Sequence, residues 1–141
     1  MKKKLSKTIG IELTANLIVK TRMKNNYVPE QGDIIKLDLD PVRGHEQGGY
    51  RPAIVITKKS YNLYSNVILV CPITSKFKGH AYEVQFEKDD VELSSSIAIS
   101  GSILTNHVKS IDHKDRKITY FGKVDEKVIW DVLAMIKTMI D

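Results

Sequence analysis

Only one cysteine, Cys71, occurs in the 141 residues. That excludes an internal disulfide, and with it a small disulfide-stapled secreted fold. Cys71 ends the apolar run Val67-Ile68-Leu69-Val70-Cys71. There a thiol reads as a small core residue in a reducing cytoplasm, not as a nucleophile. No apolar run reaches the ~20 residues that a membrane-spanning helix needs, so no membrane partner is expected. The four histidines, His45, His80, His107 and His113, show neither His-x-His nor HExxH spacing, and carboxylates do not cluster with them. Neither metal nor cofactor has support from such a pattern. Ser94-Ser95-Ser96 lacks the strand–turn–helix setting of a nucleophilic serine. The single tryptophan, Trp130, reads as a packing residue.

A global basic field is missing too, although the net charge is +5. Residues 1–26 hold seven Lys or Arg and one acid, Glu12; the rest holds fifteen basic and sixteen acidic residues. Any nucleic acid must then be held by a local patch. Residues 1–26 read as a basic, loosely attached N-terminal extension, and 27–141 as the domain proper. Lys2-Lys3-Lys4 opens like a signal peptide, but Glu12 interrupts the segment behind it and no small-residue cleavage site closes that segment.

The residues that are present are β-rich in pattern. Ile35, Leu37 and Leu39 alternate with Lys36, Asp38 and Asp40, the pattern of a half-buried strand. Ala53 to Thr57 is apolar on both faces and predicts a central strand; Val67 to Ile73 is a second fully apolar strand, with Pro72 marking a bulge or edge near its end. Tyr82 to Phe86, one or two segments around Gly101, Val108 to Ile111 and Ile118 to Val124 complete the strands. Asp125 is the expected N-cap of a terminal helix. That helix carries two apolar stripes, Val128/Val132/Met135/Met139 and Ile129/Leu133/Ile136/Ile140, one for the sheet and one for a partner subunit. The expected class is β-rich α+β, a small antiparallel barrel or sandwich with a C-terminal helix.

The most informative stretch is Gly44-His45-Glu46-Gln47-Gly48-Gly49-Tyr50-Arg51-Pro52. Glycines permit a tight turn and close approach to a ligand. A carboxylate and a guanidinium flank the turn, and a rigid strand comes directly after. An acid or base and an anion binder on a fixed edge suit phosphate chemistry.

From about Tyr27 onward the chain resembles the MazF/PemK mRNA interferases, toxins of bacterial toxin–antitoxin pairs. The matching pieces are Gly32-Asp33-Ile34-Ile35, Leu39-Asp40-Pro41, the ordered set Gly44-x-Glu46-Gln47-Gly48-x-x-Arg51-Pro52, Asn62, Pro72-Ile73-Thr74 and Val108-Lys109-Ser110-Ile111-Asp112. The resemblance implies an SH3-like barrel, shared with the gyrase-poison CcdB toxins, that forms a homodimer. It also implies a cognate antitoxin and metal-independent cleavage of single-stranded RNA at a short sequence. Carried over by position, the catalytic residues are Arg51 and Thr74, with Glu46 and His45 beside them. One departure is Asn106-His107, where many members carry an acid followed by Gln for RNA recognition.

RNA brings its own nucleophile, the 2′-OH, so the protein has to move two protons and stabilise charge on phosphorus. Arg51 fits the charge role, because its planar fork matches two phosphate oxygens. Glu46 or His45 fits the base, and the Thr74 hydroxyl can orient a phosphate oxygen. Gln47, Tyr50, Ser75, Lys76, Lys78, Asn106 and His107 are the expected RNA-binding residues, with Phe77 either beside them or in the core. Two other readings stay open: a non-enzymatic toxin of the same fold that poisons a protein such as DNA gyrase, and an RNA-binding module that has lost activity.

Overall fold

Strand pairing begins where the sequence first alternates. In the computed structural model, residues 27–40, 44, 48–93 and 99–141 are described; the N-terminal extension, His45, Glu46 and Gln47 lie outside them. The strands are β1 (Asp33–Asp38), β2 (Tyr50–Val55), β3 (Val67–Thr74), β4 (Glu83–Phe86), β5 (Val91–Leu93), β6 (Gly101–Leu104), β7 (Lys109–Asp112) and β8 (Thr119–Val124). A short helix, Lys59–Asn62, links β2 to β3, and the chain closes with the helix Glu126–Ile140. The strands form one antiparallel sheet in the order β4-β6-β3-β2-β1-β8-β5, with β7 also paired to β3. The sheet curls into a half-barrel.

β2 is central, as its doubly apolar sequence predicts, and pairs with both β1 and β3. Its two faces feed two cores. Ile54 joins Ile34, Cys71, Ile73 and Phe86, which pack with Val128, Ile129 and Val132 of the C-terminal helix. Ala53 and Val55 join Ile35, Leu37, Val70 and Ile111 in a second core. β1 is buried on both faces at Ile34 and Ile35 and half-buried only beyond them. A register shift against β8 falls between those two residues. Cys71 is fully buried, and desolvation pushes its thiol up to about 12, so a core role fits it.

Pro72 lies inside β3, paired with Ala53. On its other side β3 pairs with β7 over Val67–Val70 and with β6 at Ile73–Thr74. The missing N–H therefore falls in the gap between two partners, a local edge. β5, with only three residues, has no legible pattern in the sequence. The charged stretch before it is a 3₁₀ turn, Lys88–Asp90, closed by a capping box from Glu87 and Asp90.

Two buried polar residues staple the connections. Asn62 donates through Nδ2 to the carbonyls of Pro29 (2.8 Å) and Thr57 (3.0 Å). That gives this matching residue a structural task. The buried Asp33 carboxylate accepts from the Tyr27 hydroxyl and the Glu30 amide and pairs with Lys123 Nζ at 3.0 Å. A buried charge so compensated ties the start of β1 to β8.

The C-terminal helix departs from expectation in three ways. Asp125 takes the cap position with extended backbone, but its side chain makes no capping hydrogen bond. The two stripes do not divide between sheet and solvent. Val128, Ile129 and Val132, from both stripes, are buried, while Met139 and Ile140, also from both, are exposed. The helix leaves the sheet toward its C-terminus, so burial tracks position along the axis. Trp130, expected to pack, is 61% exposed, because the buried trio occupies the opposite side of the same turn.

Candidate active site

The glycine-rich segment re-enters the sheet at Gly48-Gly49. Gly49 has φ +80, a conformation that L side chains rarely adopt, so glycine is needed at this turn. The ends of the segment are tied together. Leu39 N donates to Gly49 O at 2.9 Å, and Gly49 N donates to Asp40 Oδ1 at 2.9 Å. Arg51, two residues on, is half-buried and donates from Nε to Gly48 O at 2.7 Å. Its two Nη groups are not used in that bond.

Ala53 pairs with Pro72. The pairing of β2 with β3 ends there, so Arg51 lies two residues beyond it on β2 and Thr74 two residues beyond it on β3. Thr74 is half-buried, and its Oγ1 accepts from Lys76 N at 3.2 Å. The start of β6 presses against Thr74: a Cβ on Gly101 would sit 2.4 Å from the Thr74 carbonyl oxygen. Glycine at 101 lets two backbones meet where the candidate catalytic hydroxyl is held.

Beside these strand ends lies a cleft of about 380 Å³ lined by Lys36, Arg51, Pro52, Ile73, Ser75, Ile99, Ser100 and Phe121. It combines two cations, two hydroxyls and an apolar wall. Lys36 Nζ stands 4.4 Å from the centroid of the Phe121 ring, a cation–π contact. Such a cleft can hold a phosphate at its cationic end and a base or sugar against its wall.

The other predicted residues take three positions. Ser75 lines the cleft with Arg51. Lys76, Phe77 and Lys78 are exposed on the loop after β3, so Phe77 is not a core residue. That loop is tethered by Lys78 N donating to Glu83 Oε1 at 3.1 Å. Tyr50, 65% exposed, instead lines a smaller hollow with Asp38, Asp40, Arg116, Lys117 and Thr119. Asn106 and His107 form the turn between β6 and β7, with His107 N bonded to Leu104 O at 3.1 Å. The pairings Ile103–Ile73 and Lys109–Val70 put that turn level with Val70–Pro72. It stands two to four residues along β3 from Thr74, roughly 7–13 Å at the usual strand rise. That separation suits contact with a neighbouring nucleotide, not with the reacting phosphate.

Two further residues of the site carry no mark in the sequence. Lys36 reads as an ordinary outward residue of a half-buried strand; its place in the cleft depends on Phe121, which comes from β8. Arg116, in the turn before β8, donates from Nη1 to the carbonyls of Asp38 (2.6 Å) and Asp40 (2.9 Å). Nothing local in Lys114-Asp115-Arg116-Lys117 marks one cation among four charges. Among the described residues no three His, Cys, Asp or Glu side chains come together, and no helix is long and apolar enough to cross a membrane.

Residues 30–140 match the family described as PemK-like, MazF-like toxin of type II toxin–antitoxin system. The chain is 34% identical over 118 residues to the endoribonuclease toxin MazF of Escherichia coli K12, covering 84% of this chain and 99% of that protein. Against the endoribonuclease toxin ChpB of the same organism the identity is 29%, over 79% of this chain and 94% of that one. The crystal structure of MazF from Deinococcus radiodurans superposes with a TM-score of 0.70 at 31% identity, covering 82% of this chain and 98% of that one. A MazE–MazF complex from the same organism gives 0.64 at 31% identity, with 82% and 97% covered.

Proposed function

The chain belongs to the PemK-like, MazF-like toxins of type II toxin–antitoxin systems, and we propose that it is an endoribonuclease that cuts single-stranded mRNA at a short sequence. The observation that supports this reading is the cleft where Arg51 stands with a second cation, Lys36, and the hydroxyl residues Ser75 and Ser100. The 2′-oxygen on the 5′ side of the cut attacks phosphorus, and the bond from phosphorus to O5′ breaks. The products are a 2′,3′-cyclic phosphate and a 5′-OH. Glu46 or His45 takes the 2′-OH proton, and a second proton goes to the leaving O5′. Arg51 stabilises the charge gathering on the phosphoryl oxygens, and Thr74 orients one of them. Because the nucleophile belongs to the RNA, no metal is needed to generate one.

The RNA runs from this centre past Ser75, Lys76 and Lys78, with Tyr50, Gln47 and the Asn106-His107 turn contacting flanking nucleotides. An mRNA substrate places the protein in the cytoplasm. The likeness to MazF in a MazE–MazF complex supports a cognate antitoxin as its protein partner, and the exposed apolar residues Met139 and Ile140 at the end of the C-terminal helix support a homodimer. Residues 1–26 lie outside the active unit, 27–141.

The test is to treat a mixed transcript pool and sequence the new RNA 5′ ends. New 5′-OH ends clustered at one short motif are expected. Intact RNA together with inhibited gyrase would replace this reading with that of a protein poison.

A further inference from the structure

One peptide group at the site is held from both sides. The N–H and the C=O of the Gly48–Gly49 peptide belong to a single rigid plane. The N–H donates to Asp40 Oδ1 at 2.9 Å, and the C=O accepts from Arg51 Nε at 2.7 Å. Asp40 is in turn fixed by its own backbone. Its carbonyl accepts from Arg116 Nη1 at 2.9 Å, and its amide donates to Asp38 Oδ1 at 3.0 Å. Arg116 Nη1 also holds the Asp38 carbonyl at 2.6 Å. Together these bonds, 2.6 to 3.0 Å long, link the β7–β8 turn to the guanidinium of Arg51.

We propose that Asp40, braced by Arg116, is a positioning residue that aims Arg51 through the Gly48–Gly49 peptide. This rests on the reading of Arg51 as the group that stabilises the reacting phosphate. With Nε occupied by Gly48 O, rotation of the guanidinium about its last side-chain bond is restricted, and its Nη groups are presented in one orientation. Preorganised donors act only when aimed, and a misplacement of about 1 Å can cost about 10²-fold. An Asp is suited to the task because its short carboxylate bridges the ends of the loop, accepting the Gly49 N–H nine residues on. The role needs an acceptor oxygen at position 40, not a charge.

Three variants are compared in single-turnover cleavage of an RNA carrying the preferred site: Asp40→Ala, Asp40→Asn and Arg51→Ala, plus the double variant Asp40→Ala/Arg51→Ala. Asp40→Ala should lower the cleavage step about 10–100-fold with RNA affinity within about threefold. Asp40→Asn, which keeps the acceptor, should recover to within about fivefold of wild type. The double variant should be no slower than Arg51→Ala, because Asp40 acts only through Arg51. Multiplicative losses in the double variant, or an Asn variant as slow as Ala, would overturn the proposal. Should Asp40→Ala fail to fold, Arg116→Ala is read by the same double-variant criterion.

A second measurement is independent of activity. The Arg51 Nε–H proton is followed by NMR exchange with solvent in the wild-type protein and in Asp40→Ala. Protection in the wild type that falls at least tenfold in the variant supports the relay; equal protection contradicts it. If the wild type cuts no RNA but the proton behaves as expected, the failure belongs to the endoribonuclease reading and the relay stands.

Discussion

Arg51 illustrates how much one side chain is asked to do. Its Nε donates to Gly48 O, and in the proposed mechanism its two Nη groups meet the phosphate. Arg51→Lys keeps the charge and loses both the tether and the fork. Cleavage by this variant should fall about 10²–10³-fold, the usual cost of one preorganised donor. Rates within about threefold of wild type would leave only a general electrostatic role. His107 is different, since its turn stands away from Thr74 along β3. His107→Gln should therefore change the preferred cut sequence while leaving the rate on the best substrate within about tenfold, because an imidazole and an amide present different donors and acceptors. Coinciding cut-site profiles would show that His107 reads nothing. Thr74 is reached in the sequence only through the family resemblance, whereas Arg51 can be picked out because it sits at a loop-to-strand junction after a glycine turn. Lys36 and Arg116 cannot. The task of each is defined by β8 or by the end of β1, far away in the chain, and no local pattern encodes such a pairing.

At the scale of elements, β3 organises the site. Its fully apolar sequence predicts a strand and Pro72 a bulge or edge; the strand forms, with Val67 and Leu69 on an exposed outer face, and Pro72 falls at the handover from β7 to β6. Gly101 belongs to this arrangement. Gly101→Ala puts a methyl group 2.4 Å from the Thr74 carbonyl oxygen, so β6 or the end of β3 must move. The variant should lose about 1–3 kcal/mol of stability, a typical overpacking cost, and cleavage should fall with it at temperatures where it remains folded. Denaturant unfolding beside a cleavage assay checks this, and unchanged values for both would mean that the contact relaxes freely. The C-terminal helix shows where periodicity stops being informative. Spacing identifies the helix and its apolar residues, but not that the sheet ends under it, which leaves Met139 and Ile140 uncovered. Trp130 defeats a sequence reading for the same reason: its hydrophobicity is legible, whereas its angular position against a packed trio is not.

The whole molecule leaves apolar surface at that helix end and along the outer face of β3, where Val67 and Leu69 are exposed. Tyr61, Leu63 and Tyr64 of the preceding connection are exposed as well. Surfaces of this kind mark contacts between chains. Sedimentation at micromolar concentration should accordingly give twice the chain mass, and a strictly monomeric species that still cuts RNA would contradict the dimer. Several short strands and one terminal helix suffice to suggest the barrel class, yet the closing order of the strands rests on long-range pairings that composition does not carry. The proposed mechanism has Arg51 and Thr74 flank a phosphate attacked by the neighbouring 2′-OH. The most direct measurement is cleavage, with EDTA present, of two RNAs that differ by a single 2′-deoxy substitution on the 5′ side of the cut. The all-ribose RNA should be cut to a 5′-OH product and the substituted RNA should stay intact, because its nucleophile is gone. Equal cleavage of the two RNAs would contradict the mechanism.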